Sequence, residues 1–265
     1  MSELTTDYGL RADDNSFSKL ETVTMPNQIG NKVATMNQQG FMRIDLDSYS
    51  KQWISEAKSS DKPFLEIGAA YGEASIIALE GGATVISNDV DMKHLTVIRN
   101  RARKDLHSNL YLNCASVPND INIPNDSIGG VLFCRVGHFF TAEEMQDTLV
   151  KIYNMLTKGG GLFFVSVSPY HYSLANDFLP IFLEKKANGE KNPGYVHNMK
   201  QYMPLKESAK YVPEFLNAWD VDIMSKLLEV NGFEIKQSGL FDYDKNNSQG
   251  KGFTGIHAIK PLRIG

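Results

Sequence analysis

From Pro63 onward the chain alternates short apolar runs with amphipathic stretches. Apolar runs lie at 63–67, 84–88, 109–114, 130–134 and 161–167, and segments with apolar positions at helical spacing lie at 72–80, 92–104 and 141–157. The short runs predict strands and the three-four spacing predicts helices. Strands alternating with helices build a parallel sheet covered on both faces. Gly129-Gly130-Val131-Leu132-Phe133-Cys134 is apolar at consecutive positions, as a strand buried on both sides requires. The alternation resumes with a helix at 220–230, a strand near 233–239 and a final strand within 252–261. Only the polar stretch Asp242 to Lys251 separates the last two strands, too little for a parallel crossover, so they form an antiparallel hairpin. The expected fold is therefore α/β, with a seven-stranded, mostly parallel sheet ending in that hairpin. Upstream, Ile44, Leu46, Tyr49, Trp53 and Ile54 approximate a helical stripe over 44–57.

Two regions break the rhythm. Residues 1–42 are polar and broken by Pro26, Gly30 and Gly40, and read as an arm or lid on a domain spanning 43–265. Residues 169–213 carry Pro169, Pro180, Pro193, Pro204 and Pro213 among aromatics, too polar for the sheet and too apolar for a linker. They read as a cap inserted after the fifth strand. Its aromatics, Tyr172, Phe178, Phe182, Tyr195, Tyr202 and Tyr211, suit either a lid over an apolar or aromatic ligand or a small core of the cap's own.

Composition narrows the class of partner. A formal net charge of -4 supplies no field for a polyphosphate, so nucleic acid is not expected. The lysines Lys185, Lys186, Lys191, Lys200, Lys206 and Lys210 are diluted by Glu184, Glu190 and Glu207 and read as a solvated face. Two cysteines make no disulfide framework, no apolar run is long enough to span a membrane, and the first residues lack a signal peptide's pattern. These features predict a cytoplasmic protein that meets no membrane. The six histidines are dispersed and no metal-ligand spacing occurs, so no metal site is expected.

The chemistry concentrates at "FLEIGAAYGEASIIALEGGATVISNDVD", Phe64 to Asp91. A glycine turn after a first strand brings a ligand to the backbone, and the next helix offers unpaired N–H groups. The dinucleotide fingerprint needs G-x-G-x-x-G, but here Gly68-Ala69-Ala70-Tyr71-Gly72 gives G-x-x-x-G, which argues against a pyrophosphate. Glu66 repels phosphate and suits a cation. Asp89 ends the second strand about 20 residues beyond the turn, where a carboxylate accepts ribose hydroxyls. Asp91 reads as the cap of the following helix. A nucleoside with positive charge and no diphosphate satisfies these constraints, and S-adenosylmethionine is such a molecule.

These residues resemble the class I, Rossmann-like S-adenosylmethionine-dependent methyltransferases. "FLEIGAAYGEAS" is similar to the first motif of that family and "VISNDVDMKHL" to the second; "NCASVPNDINIPNDSIGGVLFCRVGHFF" resembles the third and fourth, and "LVKIYNMLTKGGGLFFVSV" resembles the family's helix, glycine turn and fifth strand. The resemblance covers roughly 60–168 and 220–262. It implies that Glu66, Gly68, Ala69, Ala70, Tyr71 and Gly72 surround the cofactor, with Asp89 on the ribose and Val90 beside the adenine. It also implies that Ala115 and Ser116 flank the adenine and that Cys134, Arg135 and Val136 line the floor. Ala70 stands where the family often has glycine, and Cys114 and Ala115 where many members carry an acidic residue.

Methyl transfer asks for alignment and exclusion of water more than for many catalytic side chains. His138, four residues past Cys134, and His171, between Tyr170 and Tyr172, are the candidate bases, if an imidazole there titrates near neutrality. Arg135 suits an anionic substrate, the cofactor carboxylate, or a partner such as Glu143. The expected reaction is transfer to an oxygen or nitrogen of a small molecule, with a protein side chain as alternative acceptor. A non-catalytic cofactor-binding protein and an NAD-dependent oxidoreductase are the other readings, the latter opposed by the missing glycine fingerprint.

Overall fold

A computed structural model of the chain describes residues 5–14, 23–202, 213–243 and 248–262. In chain order the strands are β1 (Thr5–Thr6), β2 (Gly9–Arg11), β3 (Gln28–Ile29), β4 (Lys32–Ala34) and β5 (Phe41–Arg43), before helix α1 (Ser48–Ala57). The central alternation follows as β6 (Phe64–Ile67), α2 (Glu73–Glu80), β7 (Val85–Asp89), α3 (Met92–Arg101), β8 (Leu110–Cys114), β9 (Ile128–Cys134), α4 (Ala142–Met155) and β10 (Leu156–Val167). After α5 (Leu179–Ala187), β11 (Tyr195–Val196) and β12 (Leu216–Asn217) come α6 (Val221–Val230), β13 (Glu234–Phe241) and β14 (Phe253–Ile259).

The main sheet runs β1-β2-β8-β7-β6-β9-β10-β14-β13. The five strands from β8 to β10 are parallel, while β14 is antiparallel to both β10 and β13. The expected terminal hairpin is therefore present, with its second strand inserted between β10 and its first. Alternation along the strands divides the core into two layers. Leu65, Ile67, Val131, Phe133, Leu162 and Phe164 face a layer closed by Met145, Leu149 and Ile152 of α4 and Met224 and Leu228 of α6. Phe64, Val85, Leu110, Leu112, Leu132 and Phe163 face Trp53 and Ile54 of α1, Leu79 of α2, and Leu95 and Ile98 of α3. Most of these side chains are fully buried.

The sheet has two strands more than the sequence pattern predicts, both from the polar N-terminal region. β2 pairs antiparallel with β8, and Ala12, fully buried, donates its N–H to the Leu110 carbonyl at 2.9 Å. Gly9 makes this approach possible: at φ +112 a Cβ would stand 2.6 Å from the Leu112 oxygen. The pairing covers what would be an open sheet edge. Residues 28–43 form a separate antiparallel sheet, β3-β4-β5. The helical stripe expected from Ile44 begins only at Ser48, because Asp47 caps α1 by accepting the Ser50 N–H at 2.8 Å.

The region after β10 has its own apolar cluster of Leu174, Phe178, Phe182, Val196, Met199, Leu216 and Ala218, with Tyr202 packed against it. Tyr195 stacks on Phe215 instead. Of its expected lid aromatics, Tyr211 lies outside the described residues, as do Lys206 and Lys210 of the lysine-rich stretch. Lys186 pairs with Asp220 at 2.9 Å and Asp222 at 3.2 Å.

Candidate active site

The C-terminal ends of β6, β7, β8 and β9 open into one cavity of about 520 Å³. Such ends are where open α/β sheets bind ligands, since the loops leaving them diverge to helices on opposite faces. Of the residues singled out in the sequence, Glu66, Gly68, Ala69, Ala70, Asp89, Val90, Ala115, Ser116, Cys134, Arg135, Val136, His138 and His171 all line it. Tyr71 and Gly72 do not. Tyr71 is fully buried and donates its hydroxyl to the Ala34 carbonyl at 2.8 Å, while Gly72 opens α2 with φ +77.

The turn after β6 is held by its own geometry. Gly68 has φ +67, and a Cβ there would lie 2.3 Å from Cγ2 of Val136, so no larger residue fits without displacing the β9 loop. Ala70 adopts φ +46, a left-handed conformation costly for alanine. Its N–H donates to Oδ2 of Asp89 at 2.9 Å, an interaction that helps hold it there. Gly72 has no side chain with which to cap α2. Glu66 does so from the preceding strand, accepting from Ser75 through both N–H, at 3.0 Å, and hydroxyl. Burial raises the Glu66 carboxyl to about 7 despite those hydrogen bonds.

Asp89 collects three donors: Ala70 N–H on Oδ2, and Asp91 N–H and His94 Nδ1 on Oδ1 at 2.9 and 3.0 Å. His94, one of the most buried polar residues, accepts the Met36 N–H on Nε2 at 3.2 Å, which fixes the proton on Nδ1. The carboxylate at the end of β7 is thereby tied to both the glycine turn and the N-terminal segment. Asp91 caps α3 through the Lys93 N–H at 2.9 Å, as its position predicted. Beside it Asn88 donates to the carbonyls of Asn113 and Ala115 at 3.1 and 2.9 Å, locking the β8 exit against β7. The Ser116 hydroxyl is engaged by Asp120.

The other half of the cavity comes from segments far apart in sequence. Lys32, Phe41 and Arg43 arrive from the three-stranded sheet; His138, Phe139 and Phe140 follow β9; His171 and Tyr172 follow β10; Asp242 and Tyr243 belong to the β13–β14 connection, and Phe253 opens β14. Asp47 joins them. Its Oδ2 accepts the hydroxyls of Ser50 and Tyr243, each at 2.8 Å, and the Cys134 thiol at 3.6 Å. Burial pushes that thiol up to about 12, with the Asp47 charge acting in the same direction. The Tyr243 ring then carries the guanidinium carbons of Arg43 and Arg135 at 4.3 and 5.4 Å from its centre. Arg135 makes no ion pair with Glu143, the sequence-based alternative, nor with any other described carboxylate, and its Nε is buried without a partner.

Neither candidate histidine titrates near neutrality. Burial pushes His138 down to about 3, helped by Arg135 and His171; burial pushes His171 down to about 4, helped by Lys32 and Arg43. Both are neutral at physiological pH and weakly basic, which corrects the expectation of a base poised near 7. The Ser173 N–H also donates to Nδ1 of His171 at 3.4 Å, so the ring proton sits on Nε2 and His171 is a donor toward the cavity it lines. Sequence reasoning missed Lys32, Arg43, Asp47, His94 and Tyr243. No local motif marks them, because they meet only through the tertiary fold.

Among the described residues no His, Cys, Asp and Glu group is arranged to hold a metal, and no helix is long and apolar enough to cross a membrane. Residues 65–164 match a family model described as a methyltransferase domain. No curated protein matches the chain. Solved structures do. An S-adenosylmethionine-dependent methyltransferase of Methanosarcina mazei superposes with a TM-score of 0.61 at 15% identity, covering 83% of this chain and 100% of its own. The magnesium protoporphyrin IX methyltransferase of Synechocystis, with S-adenosylhomocysteine bound, gives 0.52 at 15% identity, over 81% of this chain and 80% of its own. The 1,6-didemethyltoxoflavin N1-methyltransferase of Burkholderia thailandensis, bound to its substrate and S-adenosylhomocysteine, gives 0.54 at 12% identity, over 81% and 79%. The sheet order, the glycine turn facing a strand-end carboxylate and the matched domain agree: residues 65–164 are a methyltransferase domain, and the chain has the Rossmann-like fold of the S-adenosylmethionine-dependent methyltransferases it superposes on.

Proposed function

We propose that the protein methylates an oxygen or nitrogen of a small molecule held in the half of the cavity opposite the glycine turn. One observation carries this reading: the cofactor-loop residues and an aromatic wall of Phe41, Phe139, Phe140, Tyr172, Tyr243 and Phe253 line the same cavity of about 520 Å³. That volume suits a small ligand beside a nucleoside cofactor and leaves little room for a folded partner. Residues 1–42 act as an arm and 169–213 as a cap on the domain of 43–265. The two thiols, unbonded and one of them exposed, suit a reducing cytoplasm.

The residues present fit the cofactor. Gly68 and Ala69 bring backbone to the ligand without side-chain obstruction, Asp89 offers remaining acceptor capacity to ribose hydroxyls, and Glu66 suits a cationic group. Val90, Ala115 and Ser116 flank the adenine, and Cys134, Arg135 and Val136 form the floor. When bound, the cofactor supplies a methyl group on a positively charged sulfur. The protein's own part is to align the acceptor, exclude water and receive a proton where the acceptor has one to lose. A depressed histidine removes protons poorly, so the geometry favours an acceptor that is already nucleophilic over one that must be deprotonated. His138, with Nδ1 buried and unpartnered, and His171 then position the acceptor rather than abstract its proton.

The test is methyl-labelled S-adenosylmethionine offered with a mixture of small phenols, carboxylates and amines beside an undigested protein extract. Label is expected in the low-molecular-weight fraction. Label confined to protein would overturn the small-molecule reading and support a side-chain methyltransferase.

A further inference from the structure

Resting on that reading, we infer that the acceptor is an anion, a carboxylate or phosphate on an aromatic or apolar body, held by Lys32, Arg43 and Arg135. The three cations reach the cavity from β4, β5 and the loop after β9, and no local sequence relation brings them together. Their fields overlap: Arg43 and Arg135 both act on Lys32, and both guanidinium groups lie over the one Tyr243 ring.

The nearby carboxylates pair directly with only one of them, Arg43. Asp45 is paired with Arg43, through a bidentate contact at 2.9 and 2.5 Å, and also accepts from the Asn31 amide at 3.1 Å. Asp47 accepts from Ser50, Tyr243 and Cys134, and its charge acts on Arg135 only from beyond ion-pair distance. Asp242 accepts the Ser248 N–H at 3.1 Å. Glu66 acts on Arg135 without coming within ion-pair distance of it. Among the described residues, Lys32 and Arg135 therefore have no ion-pair partner, and Arg135 keeps a buried Nε with no hydrogen bond at all. Uncompensated cations in a half-buried wall oppose folding unless a ligand supplies the opposite charge. His171 adds an Nε2 proton on the same wall, and a guanidinium and an ammonium converging with it make a receptor for oxyanions.

The cofactor also carries a carboxylate, so the test must separate the two. The protein is saturated with S-adenosylhomocysteine and titrated by calorimetry with benzoate, phenyl phosphate and benzamide, in wild type, Lys32→Met and Lys32→Arg. At least one of the two anions should bind about tenfold tighter than benzamide, the difference one charge-assisted hydrogen bond makes. The tighter of the two identifies the headgroup. Lys32→Met should lose most of that preference and Lys32→Arg keep it, with affinity for S-adenosylhomocysteine unchanged in both. Equal binding of benzamide and the anions, or no anion binding, overturns the inference. So does a Lys32→Met variant that binds S-adenosylhomocysteine more weakly but 5′-methylthioadenosine, which lacks the carboxylate, as before; the cations would then hold the cofactor. Failure of the wild type to bind S-adenosylhomocysteine would instead sink the cofactor reading itself.

Discussion

The two halves of the cavity are built by opposite strategies. The half beneath the glycine turn is made of short contiguous stretches, 66–70, 88–90 and 115–117, each leaving the end of a parallel strand. Its polar groups are mutually satisfied: Glu66 on Ser75, and Asp89 on Ala70, Asp91 and His94. The opposite half gathers single residues from β4, β5, the β9 and β10 exits and the β13–β14 connection, and leaves Arg135 Nε and His138 Nδ1 without partners. A constant ligand permits a closed, self-supporting frame. A variable one is met by groups that wait for it.

Four measurements can break or sharpen that contrast. The largest effect belongs to Asp89→Ala, which removes the two charge-assisted hydrogen bonds proposed to the ribose hydroxyls and also unties Ala70, Asp91 and His94. Cofactor affinity should fall by roughly a hundredfold or more, at about 1.5–3 kcal/mol for each ribose bond. Unchanged binding by calorimetry would refute the assignment. Next is Gly68→Ala, where the left-handed backbone and the clash with Val136 should together cost about 2–4 kcal/mol in denaturant unfolding. Adding Val136→Ala should return the part due to the clash and leave the backbone part, about 1–2 kcal/mol. Full recovery would show that the turn carries no strain.

The third prediction is a pH dependence. Because the Glu66 carboxyl is raised to about 7, its protonated form favours the folded state. That contribution is complete below the unfolded value near 4.5 and is lost as pH rises through about 7. A cationic ligand prefers the ionised form, so cofactor affinity should rise between pH 6 and 8 by up to about tenfold. Glu66→Gln should flatten the profile; a slope that survives in Glu66→Gln would place the titrating group elsewhere. The smallest effect is Tyr243→Phe, which removes the hydroxyl from Asp47 and keeps the ring beneath both arginines. It should cost about 1 kcal/mol of stability and raise the KM for the acceptor while leaving that for the cofactor unchanged. Equal shifts in both would mean that the two halves are not separable.

The same contrast explains what could be read from the sequence. Gly68, Asp89 and the strand-end positions of Ala115 and Cys134 follow from consecutive residues and the regular alternation, so their meeting was foreseeable. Lys32 and Tyr243 are some 200 residues apart, and their neighbourhood depends on how a three-stranded sheet and a hairpin loop pack, which no periodicity encodes. The aromatic cap shows the limit from the other side. Phe178 and Phe182 form the core of that segment and, among the described residues, only Tyr172 of its predicted aromatics lines the cavity, while Phe41 and Phe253 supply rings from segments read as arm and strand. Hydrophobic pattern tells that a ring is buried; it does not tell against what. The polar N-terminal residues were likewise read as lying off the core, but Ala12 is wholly buried because Gly9 lets β2 reach the sheet edge.

The placement of β14 between β10 and β13 also governs the order in which the chain can be completed during synthesis. β10 holds Phe163, Phe164 and Val165, all fully buried, and its free side is satisfied only by residues 253–259. Until those residues have emerged, the sheet ends in an unpaired apolar strand and β13 has no place to dock. A nascent chain stopped at Gly250 therefore carries every element of the glycine turn and still presents a sticky edge. Chaperone occupancy should persist past the point at which the cofactor half is fully translated.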